Sequence, residues 1–116
     1  MSDRTLDTAL MAAARAGRPV TYAALAMALA LQGPRRIARL SELLEAQMAE
    51  DAAAGRPFRA AWAAGRARGG LPAEGFYATA ARLGRYSGPH GGPKAAAYVA
   101  AERASLRAAL GLGNGS

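Results

Sequence analysis

Apolar residues in the first half of the chain recur every three to four positions, which is the spacing of one helix face. The first helix is predicted to begin at a cap formed by Ser2 or Asp3 and to end at Gly17. A short second helix follows Thr21, a favourable N-cap, and a third begins at Pro34, because proline suits the first helical position. The predicted faces are Leu6, Ala9, Leu10 and Ala13, then Tyr22, Leu25, Ala26 and Leu29, then Ile37, Leu40, Leu44 and Met48.

After Arg56 the pattern changes to that of a strand. Pro57 breaks any helix, and apolar side chains alternate with less apolar ones over 58–64. Residues 66–75 contain three glycines and a proline, which predicts a flexible cationic loop joining two strands. Phe76 and the apolar residues after it return to helical spacing, although 75–77 equally fits the start of a returning strand.

The C-terminal part of the chain contains one clear linker. Residues 87–93 hold three glycines and two prolines, a composition too rich in turn formers for regular structure. A last helix is predicted over 94–110, packed on the same domain as residues 1–86, and 111–116 is predicted to be a disordered tail. The order of elements therefore indicates a mainly α protein of the α+β type.

Length and composition indicate one domain with a thin core. A chain of 116 residues buries roughly two thirds of its unfolded surface on folding. The hydrophobic fraction is 52%, but alanine supplies most of it, so each large apolar side chain carries much of the packing. Trp62 and Phe58 are expected to be core residues rather than platforms for stacking bases.

Residue types that are missing exclude several kinds of chemistry. The chain contains no cysteine, which rules out disulfides, thiolate metal sites and thiol nucleophiles. His90 is the only histidine, so neither a two-histidine metal site nor a Ser-His-Asp triad is available. An acid-base pair built on Glu74 or Glu102 beside an arginine is too common an arrangement to indicate catalysis. We therefore expect no enzyme activity, no catalytic or metal-binding residue and no cofactor.

The formal charge of +7 and a pI near 11.0 favour an anionic partner. A polyanion attracts a cationic protein and releases its own counterions on binding, so nucleic acid is the expected ligand. The choice of arginine over lysine says less, because a G+C-rich genome encodes arginine, alanine and glycine in excess. Neither a signal peptide nor a membrane span is evident, and we expect a cytoplasmic protein without membrane contact.

Three helices followed by a strand, a basic loop and a return segment predict a winged helix-turn-helix with a small β-wing and an appended C-terminal helix. Arg35, Arg36 and Arg39 lie in the first turns of the third helix, and Arg66 and Arg68 lie on the wing. Arginine at a helix N-terminus opposes the helix dipole, so stability alone would favour an acid there. The alternative is that these arginines only solvate an alanine-rich surface.

Residues 18–45 also resemble the helix-turn-helix of alkylguanine DNA alkyltransferases and alkyltransferase-like proteins. The sequence V-T-Y-A-A-L-A at 20–26, then Gly33-Pro34 and Ile37-Ala38-Arg39, is similar to the family's V-T-Y-G-x-I-A, G-x-P and A-x-R, with a turn one residue longer before the arginine. The resemblance implies that Tyr22 contacts a phosphate and that Arg39 enters the duplex. The family's Pro-Cys-His-Arg motif is missing, so no alkyl group is accepted.

The predicted function is that of a small, non-enzymatic DNA-binding regulator or accessory factor that favours duplex DNA. The alternative is an adaptor that docks on a protein through its last helix or through 71–83, and that helix is also the candidate for a homodimer. The predicted DNA-binding residues are Thr21, Tyr22, Arg35, Arg36, Arg39, Arg66 and Arg68.

Overall fold

The protein is described from a computed structural model, which gives the backbone of residues 2–112 and the side chains of residues 4–112. This part of the chain is mainly helical, as predicted. The cap predicted at Ser2 or Asp3 depends on side chains outside the described ones. Residues 113–116 of the predicted tail also lie outside the described part of the chain. The elements are α1 (Ser2–Ala16), β1 (Val20–Thr21), α2 (Tyr22–Ala28), α3 (Arg36–Ala54), a 3₁₀ helix (Arg59–Trp62), β2 (Ala63–Ala64), α4 (Glu74–Arg82) and α5 (Gly92–Ala109).

Local chemistry explains the start of α2 and the end of α3. The Thr21 hydroxyl accepts a hydrogen bond from the Ala24 amide at 3.1 Å, so Thr21 is the N-cap of α2 as predicted. Helix α3 begins at Arg36, two residues after Pro34. It ends at Ala54, and the next residue, Gly55, has a φ of 70°, the left-handed conformation of a helix C-cap.

The core is one cluster that draws side chains from α1 to α5, which agrees with the single core expected from the sequence. The 3₁₀ helix lies at its centre and packs against α1, α3 and α5. Trp62 is only 4% exposed and Phe58 is fully buried, so both are core residues as predicted. Tyr77 and Met48 are buried beside them, and alanines fill the remaining space.

The predicted strand over 58–64 is wrong except for its last two residues. Residues 60–64 are buried without interruption, whereas a strand with one exposed face would bury every second residue. The Asp51 carboxylate, itself fully buried, accepts hydrogen bonds from the Arg59 amide and guanidinium, which turns the chain into a 3₁₀ helix. Helices surround residues 58–62, so the backbone there bonds to side chains of those helices and within its own turn rather than to a neighbouring strand.

No antiparallel β-wing forms within residues 2–112. β2 pairs with β1 in parallel, with Val20 opposite Ala63 and Thr21 opposite Ala64. The segment predicted as a possible returning strand is the first turn of α4, which buries Phe76 and Tyr77 together. The loop between β2 and α4 is closed by its own backbone instead, through the Gly65 amide to the Leu71 carbonyl at 2.8 Å.

The C-terminal helix is part of the same packed unit. It begins at Gly92, two residues before the predicted start, and Pro93 occupies its first turn. The linker before it is tied down, because the Tyr86 hydroxyl donates to the Pro89 carbonyl at 2.7 Å and His90 stacks on Tyr77. Within the described part of the chain, none of the helices combines the length and apolar character needed to cross a bilayer.

Candidate nucleic-acid interface

A cleft of about 470 Å³ opens between the start of α2, the start of α3 and the loop that follows β2. Its polar walls are Thr21, Tyr22, Arg36 and Arg66. Its other lining residues are small or apolar, and none of the described lining residues is acidic. The structure therefore brings together four of the seven residues that the sequence predicted to bind DNA.

The parallel pairing of β1 and β2 explains why these residues meet. Both strands of a parallel pair end at the same edge, so the segments that leave them start side by side. Tyr22 follows β1 directly, and Gly65 and Arg66 follow β2. Residues more than forty positions apart in the sequence are thus held on one edge by four paired residues.

The Tyr22 side chain joins α2 to the far end of the loop. Its hydroxyl oxygen accepts a hydrogen bond from the Ala73 amide at 3.2 Å. Burial raises the pKa of Tyr22, so the hydroxyl keeps its proton at neutral pH. Because the amide uses only a lone pair, the hydroxyl hydrogen remains available to donate to a ligand oxygen.

The start of α3 concentrates positive charge. Arg35, Arg36 and Arg39 are all exposed, and the first turn contains no acidic residue. The N-cap Arg35 makes no side-chain capping bond, and Arg36 Nη1 donates only to the Gly33 carbonyl, at 3.3 Å. The partial positive charge of the helix terminus adds to that of the guanidinium groups, and together they favour an anion.

The arginines at and beside the cleft have no acidic partner. Among the described residues, no carboxylate lies within ion-pair distance of Arg35, Arg36, Arg39 or Arg66. Arg59, by contrast, is paired with Asp7, Glu50 and Asp51 at the other end of α3. Four arginines without a carboxylate partner therefore lie at and beside the cleft, although exposed arginines elsewhere, such as Arg4 and Arg82, also have none.

Arg68 lies apart from the other predicted residues because its side chain is engaged with the protein itself. Its Nε donates to the Pro72 carbonyl at 3.1 Å, and its Nη2 donates to the His90 carbonyl. The guanidinium carbon also lies 5.9 Å from the centre of the Tyr77 ring. These contacts close the loop and join it to the linker, so we do not count Arg68 in the candidate interface.

The exposure of two apolar residues beside the cleft was not predicted from the sequence. Ile37 was predicted to lie on the core face of the third helix, but it lines the cleft and is 39% exposed. It lies one turn before the buried Leu40, where α3 extends beyond the core. Met27 is 81% exposed on α2, one turn after the cleft residue Ala23. Helical periodicity does not show where a helix overhangs its core.

Arg103 on α5 is a further residue that the sequence did not indicate. Its Nε donates to the Ala61 carbonyl at 2.6 Å, and its Nη2 donates to the Gly70 carbonyl at 2.7 Å. Burial lowers the pKa of this guanidinium, and its carbon lies 5.5 Å from the centre of the Trp62 ring. An arginine in an alanine-rich helix gives no sequence signal of such contacts.

No protein-family model matches the chain, and neither a curated protein nor a solved structure matches it significantly. The similarity of residues 18–45 to the alkyltransferases therefore stays a prediction from the residues alone. The side chains described also contain no group of three or more His, Asp or Glu residues placed to hold a metal ion.

Proposed function

We propose that this is a non-enzymatic DNA-binding protein, a regulator or accessory factor, which binds duplex DNA through the cleft and the start of α3. We call this surface the basic face and define it as Thr21, Tyr22, Arg35, Arg36, Arg39 and Arg66. In this proposal α2 and α3 act as the two helices of a helix-turn-helix, and the loop after β2 takes the place of the wing. The observation that carries the proposal is the group of four arginines without an acidic partner around a cleft free of carboxylates.

The physical support for this proposal is an electrostatically unfavourable placement of arginines in the free protein. Arginines at the N-terminus of α3 repel the helix dipole and one another in the free protein. A phosphate backbone removes both costs, because each phosphate meets a guanidinium fork and the helix amides while counterions leave the DNA. Tyr22 and Thr21 add hydroxyls at the same edge. Hydroxyls suit contacts with phosphate oxygens, and such contacts position a protein on DNA without reading the bases.

The proposal is tested by removing charge from the basic face and, separately, from a distant site. The double variant R36Q/R66Q should bind a random-sequence duplex roughly 10- to 100-fold more weakly at about 0.1 M salt, because two phosphates are no longer neutralised. Fluorescence anisotropy of a labelled duplex measures this change. A duplex affinity that the double variant leaves unaltered would overturn the proposal.

The single variant R4Q provides the matched control for charge. Arg4 is exposed on the first turns of α1, and Asp7, one turn later, reaches Arg59 beside Asp51. Asp51 lies about 22 Å along α3 from Arg36 at the usual helical rise. We expect R4Q to change affinity less than about twofold, because long-range attraction is screened over this distance. If R4Q lowered the logarithm of the association constant by half as much as R36Q/R66Q, the result would indicate that only net charge matters for binding.

The exposed Met27 favours protein docking as a second candidate function. A large apolar side chain that is 81% exposed, on the helix that contributes Tyr22 to the cleft, would suit an acidic peptide with an apolar anchor. The surfaces predicted for an adaptor are less suitable, because α5 turns Val99 and Leu106 into the core and α4 buries Phe76 and Tyr77. Binding of an acidic peptide that depends on Met27, without duplex binding, would favour this candidate.

A further inference from the structure

We infer that Arg103 is a positioning residue for the basic face, which holds the loop that presents Arg66 without contacting DNA itself. This inference rests on the proposed DNA-binding function. It assigns a role to α5, which would otherwise be only an appended helix. The loop concerned runs from the end of β2 to the start of α4 and includes residues 65–73.

The loop has a backbone that requires support. Ala67 has a φ of 56°, in the left-handed region that a side chain with a Cβ disfavours, and Gly69 and Gly70 follow with φ of 63° and 85°. Ala67 is strained in this conformation, and two adjacent glycines have many alternative conformations in an isolated loop. A loop that carries a DNA-binding arginine binds more weakly when it must be ordered during association.

The two ends of the loop are held by contacts within the helix-turn-helix and the loop itself. The Gly65 amide donates to the Leu71 carbonyl, and the Ala73 amide donates to the Tyr22 hydroxyl. Arg68 closes the same end by donating to the Pro72 carbonyl. The Leu71 amide donates to the Arg68 carbonyl and closes the turn over Gly69 and Gly70, but none of these bonds joins that tip to the core.

Arg103 joins this tip to the core. One guanidinium donates both to the Gly70 carbonyl in the loop and to the Ala61 carbonyl in the buried 3₁₀ helix. The 3₁₀ helix is buried in the core, so the tip is fixed to a segment that is itself packed on all sides. The planar fork of arginine makes two such bonds at once, whereas the single ammonium of lysine does not reproduce that geometry.

A double-mutant cycle between Arg103 and Arg66 separates positioning from a general effect on stability. R103Q should weaken binding of a random-sequence duplex about 2- to 10-fold, the cost of ordering a loop during association. In the R66Q background the same change should weaken binding less than about 1.5-fold, because no arginine remains to be positioned. A general decrease in stability would reduce the affinity of both backgrounds by the same factor.

The salt dependence of R103Q and the affinity of R103K test whether Arg103 bonds directly to phosphate. If Arg103 neutralised a phosphate, R103Q would lower the magnitude of the log-log salt slope by about 0.9, whereas positioning leaves the slope unchanged. R103K should bind as weakly as R103Q. Restored binding in R103K would overturn the inference, since lysine serves as well as arginine for a simple charge interaction with phosphate.

G70A keeps the inference testable if the Arg103 variants do not fold. A Cβ at Gly70 meets no atom within 4 Å, so G70A strains only the left-handed tip and leaves Arg103 in place. It should weaken binding to the same extent and have no further effect when combined with R66Q. If the wild-type protein fails to bind duplex DNA, the proposed function fails. If it binds, and the effects of R66Q and of R103Q or G70A simply multiply, only the role of Arg103 is overturned.

Discussion

The Tyr22 hydroxyl accepts a hydrogen bond from the Ala73 amide, which lies 51 residues later in the chain. This bond joins the first residue of α2 to the N-cap of α4 and closes one side of the cleft. Tyr22 is thus both a wall of the basic face and a structural link to the loop that bears Arg66.

The variant Y22F is expected to destabilise the protein by about 1 to 3 kcal/mol, because it leaves the Ala73 amide without its partner. Urea unfolding followed by circular dichroism measures the change. Y98F is the matched control, since the buried Tyr98 hydroxyl has no hydrogen-bond partner among the described residues. Y98F should be neutral or slightly stabilising. Equal destabilisation in the two variants would show that the Tyr22–Ala73 bond has no special importance.

The buried tyrosines predict a decrease in stability at alkaline pH. Burial raises the pKa of Tyr98 to about 12 and also raises that of Tyr22 above its usual value of 10. Between pH 10 and 12 the unfolded chain therefore releases protons that the folded protein retains, which favours unfolding as pH rises. Unfolding measured from about pH 9 to about pH 11 should show this decline, and Y98F should make it shallower. A stability independent of pH over this range would contradict the assignment.

The burial of Trp62 predicts a large cost for its removal. W62A should be destabilised by about 3 to 5 kcal/mol, against a total stability of roughly 5 to 10 kcal/mol for a domain of this size. The wild-type protein should show blue-shifted emission that acrylamide quenches poorly, because the ring is only 4% exposed. W62F, which keeps most of the volume, should be destabilised much less. Emission like that of free tryptophan would contradict the burial.

The sequence predicted those features that local chemistry controls. Thr21 caps α2 through its own hydroxyl, and the periodic apolar positions of α1 and α3, except Ile37, supply buried residues such as Leu6 and Leu40. The thin core also made the burial of Trp62 predictable, although the expected strand was wrong. These predictions needed no information about distant parts of the chain.

Features that depend on long-range contacts were not predictable. The 3₁₀ helix exists because Asp51 and the surrounding helices engage residues 59–62, and neither leaves a pattern in that segment. Arg66 and Arg68 look equivalent in sequence, but only the loop conformation shows that Arg68 turns inward. The place of Arg103 at the loop tip follows from how α5 packs, which no local rule determines.

The salt dependence of duplex binding tests the central claim most directly. Four unpaired arginines on the basic face, if each neutralises one phosphate, predict that the logarithm of the association constant falls with the logarithm of salt concentration with a slope of roughly −3 to −4. The slope should be about −2 in R36Q/R66Q and unchanged in R4Q. A flat response in the wild-type protein, or the same slope in R36Q/R66Q as in the wild type, would contradict the assignment of the basic face to DNA.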